Sequence, residues 1–395
     1  MLIPYGNTHF SLDVEADLLL PRADLPHCAA GFRLGSSDHV SRIARAGSVT
    51  LVVPDHTRPA AHRRILPALT PLLQGKERLT VVVATGAHAT PSPDYLAELG
   101  ALVPFAEIVV HDCDLSDMVF LGVTGRGTPV SVNRALRACD LLVGMGSVTI
   151  HPFAGLSGGP KHFVPGCAAR ETITANHRLL LAPEAEPGRL DDNPLYLDLL
   201  EAVVLLGNPL IINEALAPDS TPLGYFMGPV ASAHKAAAEL ALQAAAIPIR
   251  DPYDLVIASA GGAPRDVNLY QGIKALEMAT LACRAGGKLV LLAQCPEGVG
   301  SHLYEQWAQR SKDEQEAMVR TSFTVGAHKA FLASRALAKL GGAVLISELP
   351  PRLVSAMGFT PAASLAEALR VIDAPRGTRI GVMPHATASL PTSQS

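Results

Sequence analysis

The strongest constraint on the fold is an alternation, along nearly the whole chain, of short apolar runs with longer segments rich in Ala and Leu. Each run is rich in β-branched residues and ends at Gly, Pro, Asp or His, and the segment after it has helical spacing. This alternation is typical of βαβ units, in which helices cover both faces of a parallel sheet. The predicted strands are Ser48–Pro54, Leu79–Ala84, Glu107–Val110, Asp140–Met145 and Pro209–Asn213 in the first half, and Asp254–Ala258, Gly287–Ala293, Ala343–Ser347 and Arg379–Met383 in the second.

The two halves are separated by an Ala-rich helical segment, from about Val230 to Ala246, and by Pro248 and Pro252 after it, which suit an interdomain hinge. A chain of 395 residues is about two to three average domains long. We therefore predict an α/β fold of two domains, residues 1–247 and 248–395, with mainly parallel sheets facing each other across an active-site cleft. The polar tail Ala386–Ser395 is expected to fray.

Composition and charge exclude several classes of protein. Hydrophobic residues make up 48% of the chain and charged residues 17%, which excludes a disordered protein. The formal net charge is -4 and Lys and Arg form no block, so the chain lacks the electrostatic footprint of a nucleic-acid-binding protein. The six cysteines form no C-x-x-C pair, which argues against a zinc ribbon, an iron–sulfur site and a disulfide framework.

The sequence pattern also predicts no targeting signal and no membrane span. The start, Met1–Gly6, has no charged segment followed by an apolar one, and no uncharged apolar stretch reaches the roughly 18 residues of a membrane span. We therefore expect a cytoplasmic protein that binds neither nucleic acid nor membrane.

Polar clusters follow the first two predicted strands, where ligands of open parallel sheets bind. The first, Pro54–Pro59, contains Asp55, Thr57 and Arg58, and a guanidinium can hold a carboxylate or phosphate through two hydrogen bonds. The second places His88 in a turn of small residues. The alternative interpretation is structural, with Asp55 and Thr57 capping a helix, Arg58 in a surface ion pair and His88 in a structural turn.

The third cluster, His151–Gly166, is the most specific, because its glycines surround one lysine, Lys161, and His177 follows soon after. A phosphate-binding P-loop requires glycine before the lysine and a hydroxyl residue after it, but Pro160 and His162 stand there. What remains is an amine suited to covalent attachment, between imidazoles suited to nickel, zinc or copper.

The fourth cluster lies in the second half, where Gly261–Asp266 follows a predicted strand and a helix begins soon after it. Tyr270, Gln271 and Lys274 share roughly one face of this helix, and their groups could hold a hydroxy acid. The alternative is that Lys274 is an ordinary solvated lysine.

Taken in order, the four clusters resemble the lactate racemase family, whose members use a nickel-pincer nucleotide. The combination of Ser157-Gly158-Gly159-Pro160-Lys161 with three histidines is the most specific part, and the similar segments span most of the chain. They are Asp55–Pro59, Gly86–His88, His151–Gly166 with Asn176-His177, and Asn268–Gln271 with Lys274.

The resemblance implies two α/β domains, of which the first binds the cofactor and carries the catalytic residues, and the second completes the substrate pocket. Lys161 would form a covalent thioamide link to the pyridinium ring, whose carbon and two sulfurs hold nickel, and His177 would supply the fourth donor. Further cofactor contacts are expected at Thr57, Ser157, Gly158 and Gly159. Separate enzymes would make the cofactor.

The same resemblance makes His88 and His151 the acid/base pair. Inverting C2 of a 2-hydroxy acid by hydride transfer needs a base for the hydroxyl proton on either side, and imidazole accepts or donates protons at neutral pH. The resulting 2-keto acid can rotate before the hydride returns to its other face. Substrate contacts are expected from Asp55, Arg58, Tyr270, Gln271 and Lys274.

One departure concerns the substrate. Members that act on lactate carry a tryptophan near the substrate in the second domain, and the sole tryptophan here, Trp307, lies in a polar stretch that does not match. The substrate classes left open are lactate, malate-like, aromatic and sugar acids.

Two other functions stay open as alternatives. A nicotinamide-dependent dehydrogenase would share the fold, but no strand-linked G-x-G-x-x-G with a later acidic residue is present. A catalytically silent nucleotide- or metal-binding protein would not need the acid/base pair.

Overall fold

The computed structural model describes residues 1–22, 25, 28, 32–35, 37–373, 375 and 377–393. The strands are β1 (Leu2–Tyr5), β2 (Thr8–Ser11), β3 (Asp17–Leu18), β4 (Ser48–Pro54), β5 (Arg78–Ala84), β6 (Glu107–Val110), β7 (Met118–Val123), β8 (Pro129–Asn133), β9 (Leu141–Val148), β10 (Ile150–His151), β11 (Gly155–Leu156), β12 (Leu210–Leu216), β13 (Pro222–Pro229), β14 (Ala246–Ile249), β15 (Tyr253–Ser259), β16 (Cys283–Leu292), β17 (Gly342–Ile346), β18 (Thr360–Ala362), β19 (Ile380–Met383) and β20 (Leu390–Ser393). The helices are α1 (Asp38–Arg45), α2 (Ala61–Leu73), α3 (Pro93–Leu102), α4 (Arg170–Arg178), α5 (Pro194–Leu206), α6 (Val230–Ala245), α7 (Leu269–Gly272), α8 (Lys274–Thr280), α9 (His302–Ala308), α10 (Lys312–Thr321), α11 (His328–Leu337), α12 (Pro351–Ala356) and α13 (Leu365–Val371).

The chain forms two compact units, which confirms the predicted two-domain α/β fold. One unit spans residues 24–244, and the other contains residues 245–395 together with the N-terminal segment up to residue 23. The predicted boundary near residue 248 is close to this division, whereas the N-terminal segment differs from the prediction. Its β1 and β3 belong to the second unit because β3 pairs with β19 and Ser259 donates a hydrogen bond to the carbonyl of Pro4.

The unit of residues 24–244 is built on a six-stranded sheet with the order β13-β12-β9-β4-β5-β6. All neighbours are parallel except β12 and β13. The central strands read as continuous apolar runs because helices pack on them, and one core cluster joins β4, β5 and β9 to α2. The carboxyl ends of β4, β5 and β9 therefore meet at one edge of the sheet.

The second unit contains a six-stranded parallel sheet with the order β18-β17-β16-β15-β19-β3. Its core on one face includes α8 and α11. Each predicted strand of both halves corresponds to an observed strand. The expectation of a frayed tail is wrong for the described residues, because β20 pairs in parallel with β14 and buries Leu390, whereas residues 394 and 395 lie outside the described part.

In the described part of the chain, no helix combines the length and the apolar character that a membrane span requires.

Candidate active site

The loop after β4 holds the first polar cluster in a fixed conformation. Asp55 is 1% exposed, and its Oδ1 accepts hydrogen bonds from the backbone N–H of Thr57 at 2.9 Å and from the Thr57 hydroxyl at 2.6 Å. The alternative in which Asp55 and Thr57 cap the next helix is wrong, because α2 begins after Ala60 without a side-chain cap and these bonds stay within the loop. They leave Oδ2 of Asp55 for a second partner.

That partner is His88, which follows β5 in the neighbouring loop. Nδ1 of His88 lies 2.6 Å from Oδ2 of Asp55, and Nε2 lies 3.5 Å from Nη2 of Arg58. Burial raises the pKa of Asp55, but hydrogen bonds from His88 and Thr57 outweigh this effect, and the net pKa is lowered. Asp55 is therefore ionised, and a carboxylate accepts only, so the His88 proton lies at Nδ1 and Nε2, beside the guanidinium of Arg58, is an acceptor.

The glycine loop needs its glycines for two separate reasons. Gly158 and Gly159 have φ angles of 78° and 57°, in the left-handed region that glycine adopts without strain. A side chain on Gly159 would also overlap the ring of His234 in α6, and one on Gly158 would overlap Val148 at the end of β9. Ser157 closes the loop, because its hydroxyl accepts the backbone N–H of Thr149 and donates to the carbonyl of Ser147, both at 2.9 Å.

Lys161 lies directly after this loop, in a 3-10 turn from Gly159 to His162. Part of its surface remains accessible, yet protein atoms surround the amine densely enough for desolvation to dominate. Desolvation, aided by the positive charge of Arg58, lowers the pKa of Lys161 well below its usual range. This shift favours the neutral amine over the ammonium form, and the neutral amine is the nucleophilic form.

Three predicted site residues are grouped around one aromatic ring, Phe153. The ring of His151 packs edge-on against it with centroids 4.6 Å apart, and His177 does so at 5.5 Å. Nζ of Lys161 lies 5.9 Å from the centroid of the same ring. A lysine amine and two imidazoles are thus brought together from the 3-10 turn, β10 and α4.

His151 has a defined hydrogen bond on one side. Its Nδ1 accepts the backbone N–H of Ala154 at 3.2 Å, so the proton of the neutral ring lies at Nε2. His88 and His151 consequently present different atoms, an acceptor nitrogen and an N–H group.

The residues predicted for the second domain lie at the start of α7 and α8. The side chain of Asn268 caps α7, and Nζ of Lys274, at the start of α8, donates to Oε1 of Gln271 in α7 at 2.9 Å. Nζ of Lys329 donates to the carbonyl of Tyr270 at 2.9 Å and lies 3.4 Å from the centroid of its ring. Trp307 packs against the core of this unit.

Three residues of the site were missed from the sequence, namely Phe153, Asn213 and His234. Phe153 lies inside the specific motif, but an aromatic residue there reads equally well as core. Asn213 and His234 lie far from that motif in the chain. The only signal for them in the sequence is that each is a polar residue in an apolar setting, Asn213 in a strand and His234 in an Ala-rich helix.

Among the described residues, one group of three side chains has metal-ligand spacing, Asp112, Cys113 and Asp114. Asp114 is paired with Arg170, whose guanidinium nitrogens lie 2.6 Å and 2.5 Å from its carboxylate oxygens. Oδ1 of Asp112 in turn accepts the backbone N–H groups of Asp114 and Leu115, so both carboxylates already have partners within the protein.

Comparison with known proteins identifies related chains. Residues 33–188 match the family model described as the lactate racemase N-terminal domain, and residues 249–387 match that of the lactate racemase C-terminal domain. Lactate racemase of Thermoanaerobacterium thermosaccharolyticum is 30% identical over 353 residues, which is 85% of this chain and 83% of that protein. Lactate racemase of Lactiplantibacillus plantarum is 32% identical over 273 residues, 67% of this chain and 64% of that protein.

Solved structures agree with these matches. The lactate racemase apoprotein from Thermoanaerobacterium thermosaccharolyticum superposes with a TM-score of 0.85 and 28% identity, covering 99% of both chains. A Thermotoga maritima protein superposes with a TM-score of 0.66 at 15% identity, covering 92% of this chain and 99% of its own, and this similarity concerns the fold alone.

Proposed function

The chain belongs to the lactate racemase family and is an isomerase, and from this premise we propose that it inverts C2 of a 2-hydroxy acid by proton-coupled hydride transfer. The cofactor in this proposal is a nickel-pincer nucleotide joined covalently to Lys161. The observation that carries the proposal is the grouping of Lys161, His151 and His177 around Phe153.

The residues present fit this cofactor. Lys161 supplies an amine whose lowered pKa favours the neutral, nucleophilic form, and the imidazole of His177 is a donor that suits Ni(II). Gly158 and Gly159 leave the backbone beside Lys161 without side chains. When bound, the nucleotide would supply an acceptor that takes the C2 hydrogen as hydride and returns it to either face.

Protons in this reaction are moved by His88 and His151. Nε2 of His88 would accept the hydroxyl proton, and the buried carboxylate of Asp55 would stabilise the imidazolium that forms. The Nε2–H group of His151 would face the substrate oxygen from its own side. For His151 to act as the base instead, its proton must move to Nδ1, which requires the hydrogen bond from Ala154 to be broken.

Substrate binding is assigned to Arg58 near His88, and we keep Tyr270, Gln271 and Lys274 as predicted contacts. Thr57 and Ser157, predicted as cofactor contacts, also hold their own loops through their hydroxyl groups. Lactate is the substrate named for the relatives, and malate-like, aromatic and sugar acids stay in the proposed range. Maturation by cofactor-making enzymes and a cytoplasmic location are parts of the same proposal.

The proposal is tested by the fate of the C2 hydrogen. The protein is co-expressed with cofactor-making enzymes, and a 2-hydroxy acid is isomerised in D2O and followed by proton NMR. Hydride transfer predicts retained protium at C2 and, with C2-deuterated substrate in ordinary water, a slower reaction with retained deuterium. Deuterium entering C2 during the first turnovers would identify a proton-abstracting racemase and overturn the proposal.

The attachment site is tested separately by intact-protein mass spectrometry. Lys161→Ala should lose both the adduct mass and the activity, and Lys235→Ala, which removes a surface lysine paired with Asp191, should keep both. An adduct that persists in Lys161→Ala would show that the cofactor is attached elsewhere.

A further inference from the structure

The turn that carries Lys161 is fastened to the sheet by Asn213, a fully buried residue of β12. Its Oδ1 accepts the backbone N–H of Gly159 at 3.0 Å. Its Nδ2 donates to the carbonyl of Gly146 at 3.2 Å and to Nε2 of His162 at 2.7 Å. An amide has one acceptor oxygen and two donor hydrogens, so these three bonds engage both ends of the group. The first and last residues of the turn are thus held by one side chain.

His162 completes the attachment on the side of β9. Its ring lies against Gly146, where any side chain would overlap it, and it also lies close to Gly144, where a side chain would overlap the ring of Phe163. Burial lowers the pKa of His162 to about 3. The ring is therefore neutral, with its proton at Nδ1, because Nε2 accepts from Asn213.

His234 holds the other side of the loop. Its Nε2 lies 2.9 Å from the carbonyl of Ser157, and its Nδ1 lies 3.0 Å from the hydroxyl of Tyr196. Its ring also covers Gly159. The turn cannot move without breaking buried hydrogen bonds on both sides, and unmade buried bonds are costly.

We propose that Asn213 is the positioning residue for Lys161, because by holding Gly159 and His162 it sets the direction in which the amine is presented for covalent attachment. The inference deepens the proposed attachment at Lys161 and rests on it. If the turn were released, Lys161 would reach more water, which favours the ammonium form and removes its nucleophilicity.

The groups that face the amine come from several elements. Arg58 follows β4, His162 lies in the same turn and His234 lies in α6. His151 and His177 lie on the ring of Phe153, which Lys161 also approaches. Asn213 has no charge, so replacing it by Ala changes position and solvation rather than adding or removing a charge.

The experiment uses the full-length protein without cofactor and trace labelling of amines with acetic anhydride over a range of pH. Modification of Lys161 is measured by peptide mass spectrometry and normalised to Lys235. The variants are Asn213→Ala and Asn213→Leu, both of which remove the hydrogen bonds to Gly159 and His162 without adding a charge. The matched control is Asn133→Ala, because Asn133 is also a buried asparagine of this unit and contacts His111 instead of the turn.

For both Asn213 variants we expect the pH midpoint of Lys161 labelling to rise by about one unit, which corresponds to a tenfold change in free amine. After co-expression with cofactor-making enzymes, the fraction of protein that carries the adduct should fall about tenfold. Losing one buried hydrogen bond changes an equilibrium constant by about this factor. Asn133→Ala should keep the wild-type midpoint even where its stability falls. A purely structural role would lower stability without moving the midpoint.

A wild-type midpoint in both Asn213 variants, or an equal shift in Asn133→Ala, would overturn the positioning role. If wild-type protein never carries the adduct but the midpoints shift as expected, the positioning role stands and the proposed attachment fails. The two failures are therefore distinguishable.

Discussion

Asp55 and His88 show how burial divides two roles between two neighbouring residues. The carboxylate of Asp55 is 1% exposed whereas the His88 side chain is 35% exposed, so the charge is protected from solvent and the imidazole can meet a ligand. A charge in low-dielectric surroundings acts more strongly on its partner than one in water. Asp55 therefore holds the ring of His88 in one orientation.

Asp55→Asn is expected to lower kcat by roughly 10²-fold or more, because the amide keeps the shape but cannot stabilise an imidazolium. The measurement is steady-state kinetics on loaded protein, with equal loading checked by intact mass. Asp191→Asn is the matched control, since Asp191 is an 85% exposed carboxylate paired with Lys235. A kcat for Asp55→Asn equal to that of this control would contradict the role.

At the scale of elements, β20 is the clearest case in which composition suggested disorder and pairing produced order. The segment is polar and proline-containing, yet Leu390 is 5% exposed and the strand pairs in parallel with β14. Pairing supplies the backbone hydrogen bonds that a loose tail would make to water.

Leu390→Ala is expected to destabilise the second unit by about 2–5 kcal/mol, as removal of a buried leucine side chain does. Ser393→Ala, at an exposed position of the same strand, should stay within about 0.5 kcal/mol of wild type. Urea unfolding followed by the fluorescence of Trp307 reports on this unit alone, because the chain has one tryptophan. Equal midpoints for the two variants would show that β20 contributes no packing.

At the scale of the whole molecule, buried neutral histidines make both units sensitive to acid. Burial lowers the pKa of His162 to about 3 and of His234 to about 4 in one unit, and of His328 to about 3 in the other. An unfolded histidine has a pKa near 6.5. The folded state therefore binds fewer protons than the unfolded state between these values.

Above about pH 6.5 these histidines are neutral in both states and do not reduce the free energy of unfolding. As the pH falls below about 6.5, the free energy of unfolding is expected to fall by about 1.4 kcal/mol per pH unit for each histidine. Unfolding in urea at pH 7, 6 and 5, followed by circular dichroism for the whole chain and Trp307 fluorescence for the second unit, measures the slope. His302→Gln, at an exposed position, should leave the slope unchanged. A free energy of unfolding that stays constant from pH 7 to 5 would contradict neutral burial.

The sequence by itself determined the α/β class, the nine predicted strands and the residue types at the strand ends. It also placed His151 and Lys161 within one specific motif, with His177 soon after it. These features are local, because strand runs, helical spacing and turn residues are written in neighbouring positions.

Only the tertiary structure decided which side chains pack among these residues and which side chains hold them in place. It put Phe153 among the amine and the imidazoles, set Asn213 and His234 on the lysine turn, and paired β3 and β20 within the second unit. A contact such as Asn213 with Gly159 joins residues 54 positions apart. Which residues meet in such a contact depends on strand order and register. These are set by the packing of the whole sheet and cannot be inferred from a short segment of sequence.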